Sequence, residues 1–175
     1  MPPFTLPAEG SISPKSRGIH PRHLVECVIQ PALQFLNMEG IAVERLLLGT
    51  AIQESGCGLY LRQRSHGPAL GIFQMEAATH DDIWHNWLHW QIPIRDKMLG
   101  YLGRQDQPDA SRLVTDLMYA AMMCRLHYRR VASPLPDADD LEGLANYWKQ
   151  YYNTPQGRGT PQAFSDNWNR FFGVA

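Results

Sequence analysis

From Pro21 onward the apolar positions recur at helical spacing, and short polar or Gly/Pro breaks divide them into segments. Leu24, Val25, Val28, Leu33 and Leu36 make one stripe over residues 21–37, in which Pro31, lacking an N–H, predicts a kink. Residues 41–53 predict a second helix, apolar through Leu46, Leu47 and Leu48 and stopped by Ser55-Gly56. Between Leu59 and Phe73, Gly67, Pro68 and Gly71 predict an irregular connection or a short hairpin. Thr79, placed before Asp81 and Asp82, reads as the start of a helix carrying Ile83, Trp84, Trp87 and Leu88. Pro93 predicts the first residue of another, ending near Gly103. A long central helix over 111–130, capped by Asp109 or Ser111, carries Leu113, Leu117, Ala121, Cys124 and Tyr128 and closes on Arg129 and Arg130. Two more are expected over 139–152 and 160–172, the last with Thr160 as N-cap and Pro161 in its first turn.

The pattern predicts a mainly α protein with one domain over residues 19–175, preceded by a Pro-, Ser- and Gly-rich arm over 1–18. A chain of 175 residues with 44% hydrophobic and 19% charged side chains suits one globular core. Sixteen basic against seventeen acidic residues leave a formal charge of −1, so no overall field favours nucleic acid as a partner. No apolar run has the length of a signal peptide or a bilayer span. Cys27, Cys57 and Cys124 are odd in number and far apart, and read as three small buried residues rather than a disulfide framework.

Two segments carry candidate chemistry. In LLLGTAIQESGCG, residues 46–58, Glu54 follows an apolar helix at a Ser-Gly break, so its carboxyl is partly withdrawn from water. Burial disfavours the charged form and raises the pKa, and an acid still protonated near neutral pH can protonate a glycosidic oxygen. In PALGIFQMEAATHDDIW, residues 68–84, Gly71 allows close backbone approach and Gln74 offers an amide beside apolar Ile72 and Phe73. Such an amide suits a sugar cleft, where N-acetyl and hydroxyl groups need donors and acceptors; a turn with a buried, satisfied glutamine has the same sequence.

Taken as a pair, Glu54-Ser55-Gly56 and Gly71-Ile72-Phe73-Gln74-Met75 resemble the lysozyme superfamily, specifically goose-type lysozymes and lytic transglycosylases, and YWKQYYNTPQGRGTP, residues 147–161, looks like the versions carried by bacterial viruses and prophages. The resemblance covers about residues 20–172. Its third element, a Tyr-bearing helix, is similar to Leu144-Ala145-Asn146-Tyr147-Trp148, with Tyr151-Tyr152-Asn153 one turn onward. The resemblance implies a lysozyme-like domain that cleaves the β-1,4 bond of peptidoglycan glycan strands, with Glu54 as general acid and, in transglycosylases, also the base. It implies that Ser55 orients substrate or the acid, that Gln74 lines the cleft, and that Tyr147 sits close to the Glu54 carboxyl. Glu76 and Thr79 complete the expected substrate-binding set. Glu76, Asp81 and Asp82 are the candidate second carboxylates for hydrolysis; without one, attack by the sugar's own 6-hydroxyl is the expected route. A chitinase-like hydrolase and a peptidoglycan-binding virion component are the alternatives.

No cofactor or metal is expected. His85 and His89 have zinc-compatible spacing, but Asn86 breaks the HExxH pattern, and rim histidines among Trp84, Trp87 and Trp90 fit better. Arg125, Arg129 and Arg130 read as a solvated helix end, and Cys57 with His66 as unrelated packing residues. Without a signal peptide, a protein made in the cytoplasm that acts on the wall needs a virion, a pore or a secretion machine as delivering partner.

Overall fold

A computed structural model describes residues 18–63 and 67–172. Residues 1–17 of the expected arm, and His66, lie outside the described residues. Gly18 is packed: a Cβ there would lie 2.2 Å from the Gly56 carbonyl oxygen, and the next amide, of Ile19, donates to the Cys57 carbonyl at 2.8 Å.

The protein is mainly helical, with one small antiparallel sheet. The first stripe forms α1 (Pro21–Leu24) and α2 (Gln30–Leu36), joined by a widened π turn over Val25–Ile29. The distortion falls just before Pro31, whose ring cannot donate to the turn below it. Asn37, left-handed at φ 56°, ends α2.

Helix α3 (Ile41–Ser55) runs two residues beyond its expected end and stops on left-handed Gly56. Residues on all its faces are buried, among them Leu46, Leu47, Leu48, Ala51 and Ile52, so it passes through the core. Gly49 makes that passage tight, since a Cβ there would come within 2.2 Å of the Phe164 ring.

The connection after α3 contains the hairpin: β1 (Ala69–Leu70) pairs with β2 (Met75–Glu76), Ala69 opposite Glu76 and Leu70 opposite Met75. Helix α4 (Ala77–Asp82) follows at once. Thr79 therefore lies inside α4 rather than capping it, because the extended backbone of Glu76 already makes the entry turn. A π turn over Ile83–Trp87 and a 3₁₀ turn over Leu88–Trp90 lead to α5 (Ile92–Leu102), which ends on left-handed Gly103.

The expected 111–130 helix is two helices, α6 (Arg112–Thr115) and α7 (Leu117–Arg129). Asp116 separates them with extended backbone and accepts a hydrogen bond from the Tyr119 amide at 2.9 Å, so the cap of the long helix is Asp116, not Asp109 or Ser111. A short acid that caps so well competes with the helix it would otherwise interrupt. Helix α7 buries Tyr119 through Cys124, Leu126 and Tyr128, and packs against α2 and α3.

Helix α8 (Leu141–Trp148), capped by Asp140, continues as a π turn over Lys149–Asn153. Helix α9 (Pro161–Phe172) starts at Thr160, whose hydroxyl accepts from the Ala163 amide at 3.1 Å. Cys57 and Cys124 are buried, but Cys27 is exposed on the π turn after α1; all three are free thiols. No helix among the described residues is long and apolar enough to cross a membrane.

Candidate active site

The last turn of α3, the hairpin, the inner end of α7 and the segment after α8 enclose a cleft of about 700 Å³. Glu54 opens on it from α3, Gln74, Met75 and Glu76 from the hairpin, and Thr79 from α4. His127 comes from α7, Tyr152 and Asn153 from the π turn, and Thr154 with residues 156–159 from the loop beyond. The sequence pairing of Glu54 with Gln74, Glu76 and Thr79 is thus a spatial one.

Glu54 is half-buried, and loss of water pushes its carboxyl up to about 7. The indole of Trp148 donates to Oε1 at 2.9 Å, which favours the ionised form and opposes the shift; burial is the larger effect. A rise from 4.5 to about 7 is about 3 kcal/mol in favour of the neutral acid. Oε2 has no hydrogen-bond partner among the described residues. The groups beneath it are uncharged: Thr50 and Tyr128 share a hydrogen bond at 2.8 Å, and Cys124 and Tyr152 are held neutral by burial. Among the described residues, no cation pairs with the carboxylate to keep it ionised.

Gln74 sits at the hairpin turn with φ 48°, an uncommon backbone for a residue with a side chain. Its amide nitrogen donates to the carbonyls of Gly71 at 2.7 Å and Tyr60 at 3.4 Å. The amide oxygen has no partner among the described residues and can accept from a ligand N–H or O–H. Gly71 makes the turn possible: its φ is +73°, and a Cβ would lie 2.2 Å from the Leu113 carbonyl.

Two expected site residues are elsewhere. Ser55 is buried; its hydroxyl contacts the carbonyls of Ala51 and Ile72 and accepts from the Gly58 amide at 2.8 Å. Every bond it makes is to backbone, so it ties the end of α3 to the hairpin and does not reach the cleft. Tyr147 does not line the cleft either: its hydroxyl donates to the Ser133 carbonyl at 3.0 Å and its ring packs on Tyr151 and Tyr128. One residue along a helix turns the side chain by about 100°, and that step brings Trp148, rather than Tyr147, to Glu54. The tyrosines that line the cleft are Tyr60 and Tyr152, and the Tyr152 hydroxyl donates to the Phe73 carbonyl at 2.8 Å.

His127 is a cleft residue that the sequence reading missed; only its place on α7, 73 positions from Glu54, brings it there. Its Nε2–H donates to the Tyr151 carbonyl at 2.8 Å, which leaves Nδ1 to accept from Arg130 at 3.0 Å. Burial lowers it to about 4, so at neutral pH it is an uncharged wall with both nitrogens occupied. Arg130 also pairs with Asp82, which removes that carboxylate from the candidate second acids. Asp81 is taken up by His80 and Gln107 and is not in the cleft. Of the three candidates, only Glu76 shares the cleft with Glu54.

Among the described residues, no three His, Cys, Asp or Glu side chains gather as metal ligands. His85 and His89 border a smaller hollow of about 440 Å³ with Trp84 and Arg95. Trp84 is buried and Trp90 is 74% exposed, so the tryptophans form no single cluster. No known protein family, curated protein or solved structure matches this chain.

Proposed function

We propose that this protein cleaves β-1,4 bonds in peptidoglycan glycan strands, with Glu54 as general acid. The observation that carries the reading is a carboxyl withdrawn from water at an open cleft, shifted to about 7 and with Oε2 free to face a ligand. Near neutral pH a large fraction of it carries a proton, as protonation of the glycosidic oxygen requires. When that C–O bond breaks, positive charge develops on the sugar, and the carboxylate left behind is the base that takes a proton from the nucleophile. If the nucleophile is the sugar's own 6-hydroxyl, the product is a 1,6-anhydro end; if it is water, the product is a reducing end. The amide oxygen of Gln74 is the acceptor offered to an N-acetyl N–H or a hydroxyl.

The transglycosylase route is preferred because one acid–base residue suffices for it. Hydrolysis is the second reading, supported by the presence of Glu76 in the same cleft as the residue that would position water. Mass analysis of digested peptidoglycan separates the two, since anhydro ends are lighter by one water. Release of muropeptides that survives E54Q would remove the assignment altogether.

A further inference from the structure

The loop after α8 places a single guanidinium at the cleft. Arg158 is exposed, lines the cavity and has no hydrogen-bond or ion-pair partner among the described residues. By contrast, Arg22, Arg45, Arg95, Arg104, Arg112 and Arg130 are all paired with carboxylates.

The loop is held on both sides of Arg158. On one side the Lys149 ammonium donates to the Gly157 carbonyl at 2.7 Å and to Asn153 Oδ1 at 2.9 Å. On the other, Gly159 lies flush on the Trp148 indole, where an added Cβ would come within 2.4 Å of the ring. That indole is the one bonded to Glu54. The backbone at Arg158 is thereby fixed relative to the acid.

Of the other charged side chains that line the cleft among the described residues, Glu54 and Glu76 are acidic, and His127 is neutral. Arg158 is the lining group there that can offset an anionic ligand. We infer that Arg158 is the counter-charge for a carboxylate carried by the glycan, so that the cleft selects acidic glycans over neutral amino-sugar polymers. A guanidinium matches a carboxylate with two parallel N–H donors, which an ammonium does not reproduce. The inference rests on the proposed glycan cleavage and names the substrate class for that site.

In peptidoglycan the carboxylate has two sources, the lactyl group of peptide-free strands and the peptide stem of intact ones. The test measures binding by full-length E54Q protein, with and without R158Q or R158K. The probes are a neutral chitin tetramer, a peptide-free glycan tetramer with free lactyl carboxylates, and the same tetramer bearing stems. R158Q is expected to lower the affinity ratio of an acidic over the neutral probe about five- to tenfold, and R158K to restore it in part. The acidic probe that responds identifies the source. Equal ratios in all three proteins, with wild-type wall cleavage intact, overturn the role of Arg158 and leave the catalytic reading standing. Absence of wall cleavage by wild type, with no binding of any probe, overturns both.

Discussion

His80 and Glu54 are both withdrawn from water, and burial shifts both, the histidine downward and the carboxyl upward. They differ in what they touch. The Trp84 indole donates to the Tyr119 hydroxyl at 2.8 Å, which directs that hydroxyl's own proton to His80 Nε2 at 2.7 Å. His80 Nδ1–H is then left to donate to Asp81 at 2.8 Å. Every polar atom of that ring is used inside the fold. Glu54 has one donor on one oxygen, no partner for the other among the described residues, and a place in the lining of an open cleft. A displaced pKa alone therefore does not mark a site here; unspent hydrogen-bonding capacity facing a cavity does.

The largest expected effect tests the Glu54 side of that contrast. Removing the proton while keeping the shape, E54Q should lower wall solubilisation by about 10²- to 10⁴-fold, measured as muropeptide release. Next, His80→Ala should cost about 3 kcal/mol of stability by emptying a buried site and leaving the buried Tyr119 hydroxyl without its acceptor. Denaturant unfolding measures the loss, and the pH profile of the surviving activity should not move. If that profile moves, the two buried groups are coupled and the contrast fails.

The Glu54 acid should also destabilise the fold as pH rises. Its folded pKa, about 7, lies above the ordinary value of 4.5, so the native state holds a proton that the unfolded state has lost. Between those values stability falls with pH, by up to about 3 kcal/mol. His127 works in the opposite sense: lowered from 6.5 to about 4, it adds stability as pH rises through that window. E54Q should accordingly be more stable than wild type above pH 7, and its stability should climb between pH 4 and 6.5. Thermal unfolding across pH 4–9 checks the sign.

Smaller effects sharpen the picture. Gly71→Ala should cost about 2 kcal/mol, since the backbone is left-handed and the Leu113 carbonyl occupies the Cβ position. W148F removes a donor that favours the ionised Glu54, so the alkaline limb of kcat/KM should move up by roughly half a unit. A limb that moves down, or stays, would mean that the indole bond does not tune the acid.

The amino-acid sequence by itself determined the helical class, the end of α3 near Ser55-Gly56, the Thr160 cap, and the closeness of Glu54 to Gln74. The first three are local properties: apolar spacing selects a period and caps stop it; the pairing of Glu54 with Gln74 is expected from the resemblance of their two motifs. Only the tertiary structure decided that Trp148 rather than Tyr147 meets the acid, that Ser55 is spent on backbone, and that Arg158 borders the cleft. Glu54 and Trp148 are 94 positions apart. Their meeting depends on how α8 is rotated against α3, and a rotation of one residue, about 100°, exchanges one aromatic for the other. Periodicity reports which face of each helix is apolar, whereas packing against every other helix sets the angle at which two faces meet.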